Sequence, residues 1–332
     1  MDSRKAGMNM CVVYLLQDGS KAKKQGGRII VESRDGAVSS VPIQCVTGVV
    51  VGGAAQLSTQ AVFALLEQGV ALSYIDFYGR VKGQLSPSGA DAAAMHAQAR
   101  CLGNEGYCKT LAKELVQEKI TAQYRLLSYY SKKYIASILT DTVSELKVMA
   151  KQVSWGGGID RLRGLEGTAA RLYFEAFGYL VKKLGWAWRG RSRRPAADGA
   201  NALLNYGYAF LERDVRVAMA GAGLDARNGF LHSNNARKDS LVYDLMEKYR
   251  ADITERFNLK LMHLRILTED ELVSTNEGWR ISDEARKKYC ERYEAYMEEP
   301  TKEHDGKSRR ALLRESVKTF ADRLGDVLLE AS

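Results

Sequence analysis

Three stretches of this chain concentrate side chains able to hold a cation. Glu166 lies in Arg163-Gly164-Leu165-Glu166-Gly167-Thr168, with glycine close on both sides, so its carboxylate has little steric cover. Ala169, Ala170 and Tyr173 follow one and two turns on, and the small residues leave space above that face. His232 closes the run Gly229-Phe230-Leu231-His232, a loop just before a helix. Asp244 and Glu247, three apart in the run Ser240 to Glu247, share one helical face. Their neighbours Leu241, Val242, Leu245 and Met246 make that helix substantially buried, so a carboxylate at its rim needs a partner. Each stretch alone has an ordinary reading: a first-turn acid favoured by the helix dipole, a solvent-facing histidine, a solvated acidic pair. Together they offer a hard, mixed oxygen and nitrogen donor set that suits Mg²⁺ or Mn²⁺ better than a soft metal. Such an ion would polarise a phosphodiester and lower the pKa of an attacking hydroxyl. Spacing alone does not bring the three segments together.

A fourth stretch, Arg189-Gly190-Arg191-Ser192-Arg193-Arg194-Pro195, places four arginines in six positions between the Glu166 and His232 segments. Guanidinium forks match phosphate geometry, so Arg189, Arg191, Arg193 and Arg194, with Arg171, are candidate nucleic-acid contacts. The alternative is a solvated charged loop. Lys and Arg outnumber Asp and Glu by 49 to 40, a basic balance that favours polyanionic partners. Five cysteines form no CxxC pair and leave one over in any disulfide scheme, which fits reduced thiols in a cytoplasm. Cys101 and Cys108 lack further ligands at metal-binding spacing and read as core thiols. The first apolar run, Cys11 to Leu16, is too short for a signal core or a membrane span.

These residues need elements to carry them. The first 85 positions read as β-rich, with runs at Met8 to Leu16, Arg28 to Ser33, Val41 to Thr47 and Val49 to Val51. Ser58 caps a helix through Gln68, and Gly69 ends it. A closing hairpin runs over Ala71 to Phe77 and Arg80 to Leu85, turning at Tyr78-Gly79. Ser86 to Asp91 is the expected linker, and residues 92–332 show helical spacing. Helices are expected at Tyr107 to Lys132, Tyr134 to Val153, from near Glu166, Asn201 to Ala220, Ser240 to Met262, Ser282 to Met297 and Arg309 to Glu330. A short hairpin over Leu272 to Ile281 turns at Asn276-Glu277-Gly278. The expectation is an α+β chain of two domains.

The runs GLEGTAARLYF, NALLNYGYAFLERDV, GLDARNGFLHS and SLVYDLMEKYR resemble, in order, the CRISPR-associated endonuclease Cas1 family of spacer-acquisition integrases. VPIQCVTGVVVGG, QLSTQAVFALLEQGVALSYID and YGRVKGQL extend the likeness towards the N-terminus. The resemblance implies a β-sandwich-like dimerisation domain followed by an all-helical catalytic domain. It carries metal-ligand and catalytic roles onto Glu166, His232 and Glu247, with Asp244 either supporting them from behind or serving as an alternative ligand. It implies Mg²⁺ or Mn²⁺, insertion of short DNA fragments into a repeat array by 3′-hydroxyl transesterification, and a homodimer. Implied partners are double-stranded DNA with frayed or single-stranded ends, CRISPR repeat DNA and the small protein Cas2. A structure-selective nuclease of branched DNA or RNA, and a non-catalytic DNA-binding scaffold, remain open alternatives. Two departures stand out: Asp198-Gly199-Ala200 replaces a proline-containing approach to Asn201, and Arg250-Ala251 lacks the customary proline.

Overall fold

A computed structural model describes residues 11–76, 79–87, 92–232, 239–301 and 305–329. Residues 8–10 of the first strand run, Phe77 and Tyr78 of the closing hairpin, Ser88 to Asp91 of the expected linker, Ser233 and Glu330 lie outside them. The chain divides into two compact units, Met1–Ala90 and Asp91–Ser332.

The first unit contains β1 (Cys11–Leu15), β2 (Lys21–Gln25), β3 (Arg28–Glu32), β4 (Val38–Pro42), β5 (Val46–Gly52), β6 (Gln56–Leu57), α1 (Thr59–Glu67), β7 (Leu72–Ile75) and β8 (Val81–Leu85). One sheet has the order β1-β5-β7-β8, the other β4-β3-β2-β6. The pairs β1–β5 and β5–β7 are parallel, and β8 closes that sheet antiparallel to β7. Parallel neighbours need a crossover, and α1 supplies it between β5 and β7. Ser58 caps α1 by accepting from the Ala61 amide, and Gly69 at φ +76 turns the chain out, as the sequence predicts. Leu15, Val49, Val51 and Leu72 of one sheet, Ala22 and Ile29 of the other, and Ala61 and Leu65 of α1 share a single buried cluster. This is a mixed unit of strands and helix rather than strands alone.

Two local expectations change. The run Val41 to Thr47 is not one strand: Pro42 ends β4, a short 3-10 turn spans Ile43–Cys45, and β5 begins at Val46. Proline has no amide to donate to the ladder, and its fixed φ favours the turn. β2 escapes the sequence reading because Lys21, Lys23 and Lys24 hide it; only Ala22 is buried, and β3 and β6 flank it on both sides.

The second unit contains α2 (Ala92–Leu102), α3 (Glu105–Ser131), α4 (Ser137–Ser154), α5 (Ile159–Lys183), α6 (Gly199–Gly221), α7 (Ser240–Tyr249), α8 (Arg256–His263), the hairpin strands β9 (Leu272–Thr275) and β10 (Gly278–Ile281), α9 (Asp283–Glu298) and α10 (Arg309–Leu329). The hairpin corrects the all-helical expectation for this region and sits where the run Leu272 to Ile281 places it. Tyr173, Phe177, Phe257, Tyr289 and Tyr293 are fully buried. Phe257 of α8 packs edge-on against Tyr289 and Tyr293 of α9, with ring centroids 5.2 and 5.6 Å apart. Such rings each remove a large apolar surface from water.

Two corrections bear on the site. α5 does not restart near Glu166; it begins at Ile159 and runs straight through Gly164 and Gly167. Glu166 therefore sits about two turns inside a helix, beyond the terminal dipole that its first-turn reading invokes. Buried Leu162, Ala169 and Tyr173 anchor this helix in the core, which offsets the cost of about 1 kcal/mol for each interior glycine. The expected helix from Ser240 to Met262 is likewise not uniform: a π-helical turn spans Arg250–Glu255 between α7 and α8. Its i→i+5 repeat brings Arg250 and Glu255 near one face, where the α-helical repeat would leave them on nearly opposite sides.

Candidate functional site

Three helices meet around one ammonium. Lys119 of α3 is buried, and its Nζ contacts Glu166 Oε1 of α5 and lies 2.6 Å from Glu247 Oε2 of α7. Arg250 Nε stands 3.2 Å from the other Glu247 oxygen. Burial pushes the Glu247 carboxyl up, but Arg250 and Lys119 outweigh it and hold the group down at about 2, with His232 adding to the pull. Glu247 is thus a buried carboxylate kept charged by cations.

His232 is positioned from behind. Asp244, fully buried on α7, accepts from the amides of Phe230 at 2.6 Å, Leu231 at 2.9 Å and His232 at 3.0 Å. Its Oδ1 also faces His232 Nδ1 at 2.5 Å. Both Asp244 oxygens are therefore engaged, which favours the supporting role of the two that the sequence leaves open. This pairing puts a proton on Nδ1, and in a neutral imidazole Nε2 then carries the lone pair. Gly229 is required by close approach: a Cβ there would stand 2.7 Å from Asp244 Oδ2 and from the Ser240 Cβ. Arg163 ties the same loop to α5, donating to the Leu231 carbonyl from Nη2 at 2.8 Å and from Nε at 3.1 Å. Arg163 and Glu166 are three apart on α5, so one helical face holds both the loop and the carboxylate.

The structure brings Glu166 and Glu247 to a common cation and ties His232 to the helix that carries Glu247. Among the described residues, no three His, Cys, Asp or Glu side chains already sit close enough together to hold a metal ion. The donor set fits a hard divalent ion nonetheless. Glu247 Oε2 is buried and has no hydrogen-bond donor aligned with it, since Lys119 reaches it at ionic distance but off the hydrogen-bonding direction. A buried carboxylate oxygen in that condition is one that a cation would satisfy.

A cavity of about 60 Å³, large enough for water, adjoins these groups; Lys119, Glu166, Arg193, Glu247, Arg250 and Glu255 are among its lining residues. Glu255 accepts from Tyr173 Oη and, at 2.5 Å, from Tyr208 Oη. Burial pushes its carboxyl up, against the two phenols and Arg250, which pull it down. Sequence reasoning does not single out Lys119 or Glu255, and it marks Arg250 only as part of a departure from the family pattern. Lys119 has a usable signal: it lies on the buried stripe of α3 with Ala112, Leu115, Ala122 and Leu126, where a charge needs a partner.

The five candidate arginines separate. Arg189, Arg193 and Arg194 are exposed on the loop between α5 and α6. Arg191 turns inward, donating to Asn201 Oδ1 at 2.9 Å and Asn205 Oδ1 at 2.8 Å, with its guanidinium over the Phe174 and Tyr208 rings. It holds the loop in shape. Arg171 is exposed and donates to Glu175 of its own helix at 2.9 Å. The Asp198 departure has a structural use: its carboxylate caps α6 through the Asn201 amide at 2.7 Å and accepts from the Arg189 amide at 2.9 Å. Cys101 and Cys108 are buried free thiols, and burial pushes both up. No described helix is long and apolar enough to cross a membrane.

The chain is similar to known proteins over nearly its whole length. CRISPR-associated endonuclease Cas1 1 of Thermus thermophilus is 29% identical over 317 residues, covering 96% of each chain. A Cas1 protein from Thermotoga maritima shares the fold at TM-score 0.81 and 23% identity, covering 95% of this chain and 97% of that one. A casposase bound to integration product does so at TM-score 0.82 and 20% identity, covering 96% and 91%. The model of the CRISPR associated protein Cas1 family matches residues 13–295, a span that takes in the Glu166, His232 and Glu247 motifs. On that match over most of its length, this chain belongs to the Cas1 family of CRISPR-associated proteins.

Proposed function

We propose that this chain is a metal-dependent DNA endonuclease and integrase that inserts short DNA fragments as new spacers into a CRISPR array. The observation that carries the reading is the convergence of Glu166 and Glu247, from two helices, on one buried cation beside a histidine braced by Asp244. The Glu166 and Glu247 carboxylates and His232 Nε2 are the groups that would hold Mg²⁺ or Mn²⁺. Such an ion supplies Lewis-acid stabilisation of charge on the reacting phosphate oxygens. Asp244 holds the imidazole through Nδ1, which leaves Nε2 as the ring nitrogen available to an ion. Arg250 keeps Glu247 ionised, and exposed Arg189, Arg193 and Arg194 supply positive charge for the DNA backbone.

In the joining step the fragment's 3′ oxygen forms a bond to phosphorus in the repeat. The bond from that phosphorus to the repeat's own 3′ oxygen breaks, and the leaving oxygen takes the electron pair. One proton leaves the attacking hydroxyl and one is gained by the departing oxygen, so no covalent protein intermediate is needed. The partners in this reading are double-stranded DNA with frayed or single-stranded ends, the repeat DNA, a second copy of the chain joined through the β-rich unit, and Cas2.

The test supplies purified protein with a 3′-hydroxyl fragment and a repeat-bearing plasmid, with and without EDTA and with and without Cas2. Joined product that disappears with EDTA is the expected result. Glu166→Ala is expected to abolish joining while leaving DNA binding largely intact. Cutting of branched DNA with no joined product would favour a structure-selective nuclease, and normal joining by Glu166→Ala would remove the proposed site.

A further inference from the structure

Lys119 is a buried lysine whose position no part of the proposed reaction uses. Its side chain is 9% exposed, and its ammonium is shared between Glu166 of α5 and Glu247 of α7. Without a positive charge there, the two carboxylates would repel one another across a poorly solvated gap. The lysine therefore does for the protein what a bound cation would do: it cancels the charge and holds the two helices' carboxylates in place. Arg250 makes a separate contact through the other Glu247 oxygen, so Glu247 keeps a cationic neighbour when Lys119 is elsewhere.

Lysine suits an exchangeable role. Its charge is compact, its four-carbon stem is flexible, and it forms no planar fork that would lock a carboxylate in a fixed geometry. The ammonium stands 2.6 Å from Glu247 Oε2, an ionic contact through a single rotatable group. A divalent ion and an ammonium cannot share the space between the same two carboxylate oxygens, because like charges at contact distance repel strongly in a buried setting.

Resting on the metal reading above, we propose that Lys119 is an internal counter-cation that occupies the place of the divalent ion and must withdraw from Glu166 and Glu247 when the ion binds. Lys119 is a positioning residue that sets how tightly the site takes its metal. Its presence holds the carboxylates ready in the metal-free protein and lowers their affinity for the ion.

The test titrates the full-length protein with Mn²⁺ and reads the free ion by electron paramagnetic resonance, with no DNA present. Lys119→Met is expected to bind Mn²⁺ about tenfold more tightly than the unsubstituted protein, the scale on which residues behind the ligands tune metal sites. Thermal melting with and without Mn²⁺ supplies a second readout: the variant should gain more in Tm from the ion than the parent does. Lys119→Gln keeps hydrogen-bonding capacity without the charge and is expected to behave the same way, which covers the case in which the methionine variant folds poorly. Unchanged or weaker Mn²⁺ binding in both variants overturns the inference about Lys119. Glu166→Gln separates that failure from a deeper one. If it weakens binding while the lysine variants do not strengthen it, the metal site stands and only the counter-cation role is lost. If no variant changes binding and the parent does not bind Mn²⁺, both readings fall.

Discussion

The helical unit holds two buried charge clusters that look alike in composition and differ in construction. Around Glu166 and Glu247 the bridging cation is a lysine. Around Asp214 the cations are arginines. Arg213 reaches Asp214 at 2.6 Å and Glu294 at 3.1 Å. Arg310 reaches Glu294 at 2.7 Å and Glu298 at 2.6 Å, and Tyr293 donates to Asp214 at 3.0 Å. These contacts join α6, α9 and α10 through planar, multidentate groups. Arginine forks fix geometry, whereas a single ammonium neutralises charge without fixing it. The difference separates a cluster built to hold helices together from one whose cation can be replaced.

Substitutions in the two clusters should therefore fail in different ways. The largest effect is expected at the Lys119 cluster: Glu247→Gln should lower fragment joining by about a hundredfold or more, the scale of losing an electrostatic group at the reacting centre. A gel-based joining assay reads that loss, and a DNA-binding assay should change little. Asp214→Asn should do the reverse, leaving the geometry of the joining site in place while destabilising the fold by about 3 kcal/mol, since it strips a partner from buried arginines. Urea denaturation measures that loss. Joining that disappears in Asp214→Asn at temperatures where the variant is still folded would break the division between the two clusters.

Acid should expose the same division. Burial pushes the Asp214 carboxyl up, but Arg213 and Arg310 outweigh it, so its folded value lies below the ordinary one. A depressed folded pKa contributes stability that is present above the ordinary aspartate value, about 4, and is lost as the pH falls through the folded value. Urea melts at about pH 6 and about pH 3, either side of the ordinary aspartate value, should show a larger stability loss in the parent than in Asp214→Asn. An equal loss in both would show that Asp214 is not a source of acid sensitivity.

The smallest effects belong to the arginine loop. Arg193→Ala should weaken DNA binding a few-fold and reduce the salt dependence by about one phosphate contact. Arg191→Ala should instead lower Tm, because Arg191 binds Asn201 and Asn205 and stacks on Phe174 and Tyr208. If Arg191→Ala changes the salt slope and leaves Tm alone, the inward placement of that side chain is wrong.

Much of this frame is legible in the sequence, and the reasons are local. Ser58 and Gly69 bound α1 because a cap hydroxyl and a left-handed glycine act on their own turn. The hairpin at Leu272 to Ile281 shows through its Asn-Glu-Gly turn. Glu166, His232, Asp244 and Glu247 emerge from residue type and family motif. What escapes depends on distant partners. Gly164 and Gly167 suggest a helix end, yet packing of Leu162 and Tyr173 carries α5 through them. The π turn that aims Arg250 and Glu255 has no local signature, and the partners of Lys119 are carboxylates from two other helices.

Anomalous diffraction from Mn²⁺-soaked crystals tests the central claim most directly. The account predicts one strong peak within coordinating distance of Glu166, His232 and Glu247, with the Lys119 ammonium moved away from both carboxylates. A peak elsewhere, or an ion bound while Lys119 still bridges Glu166 and Glu247, would contradict it.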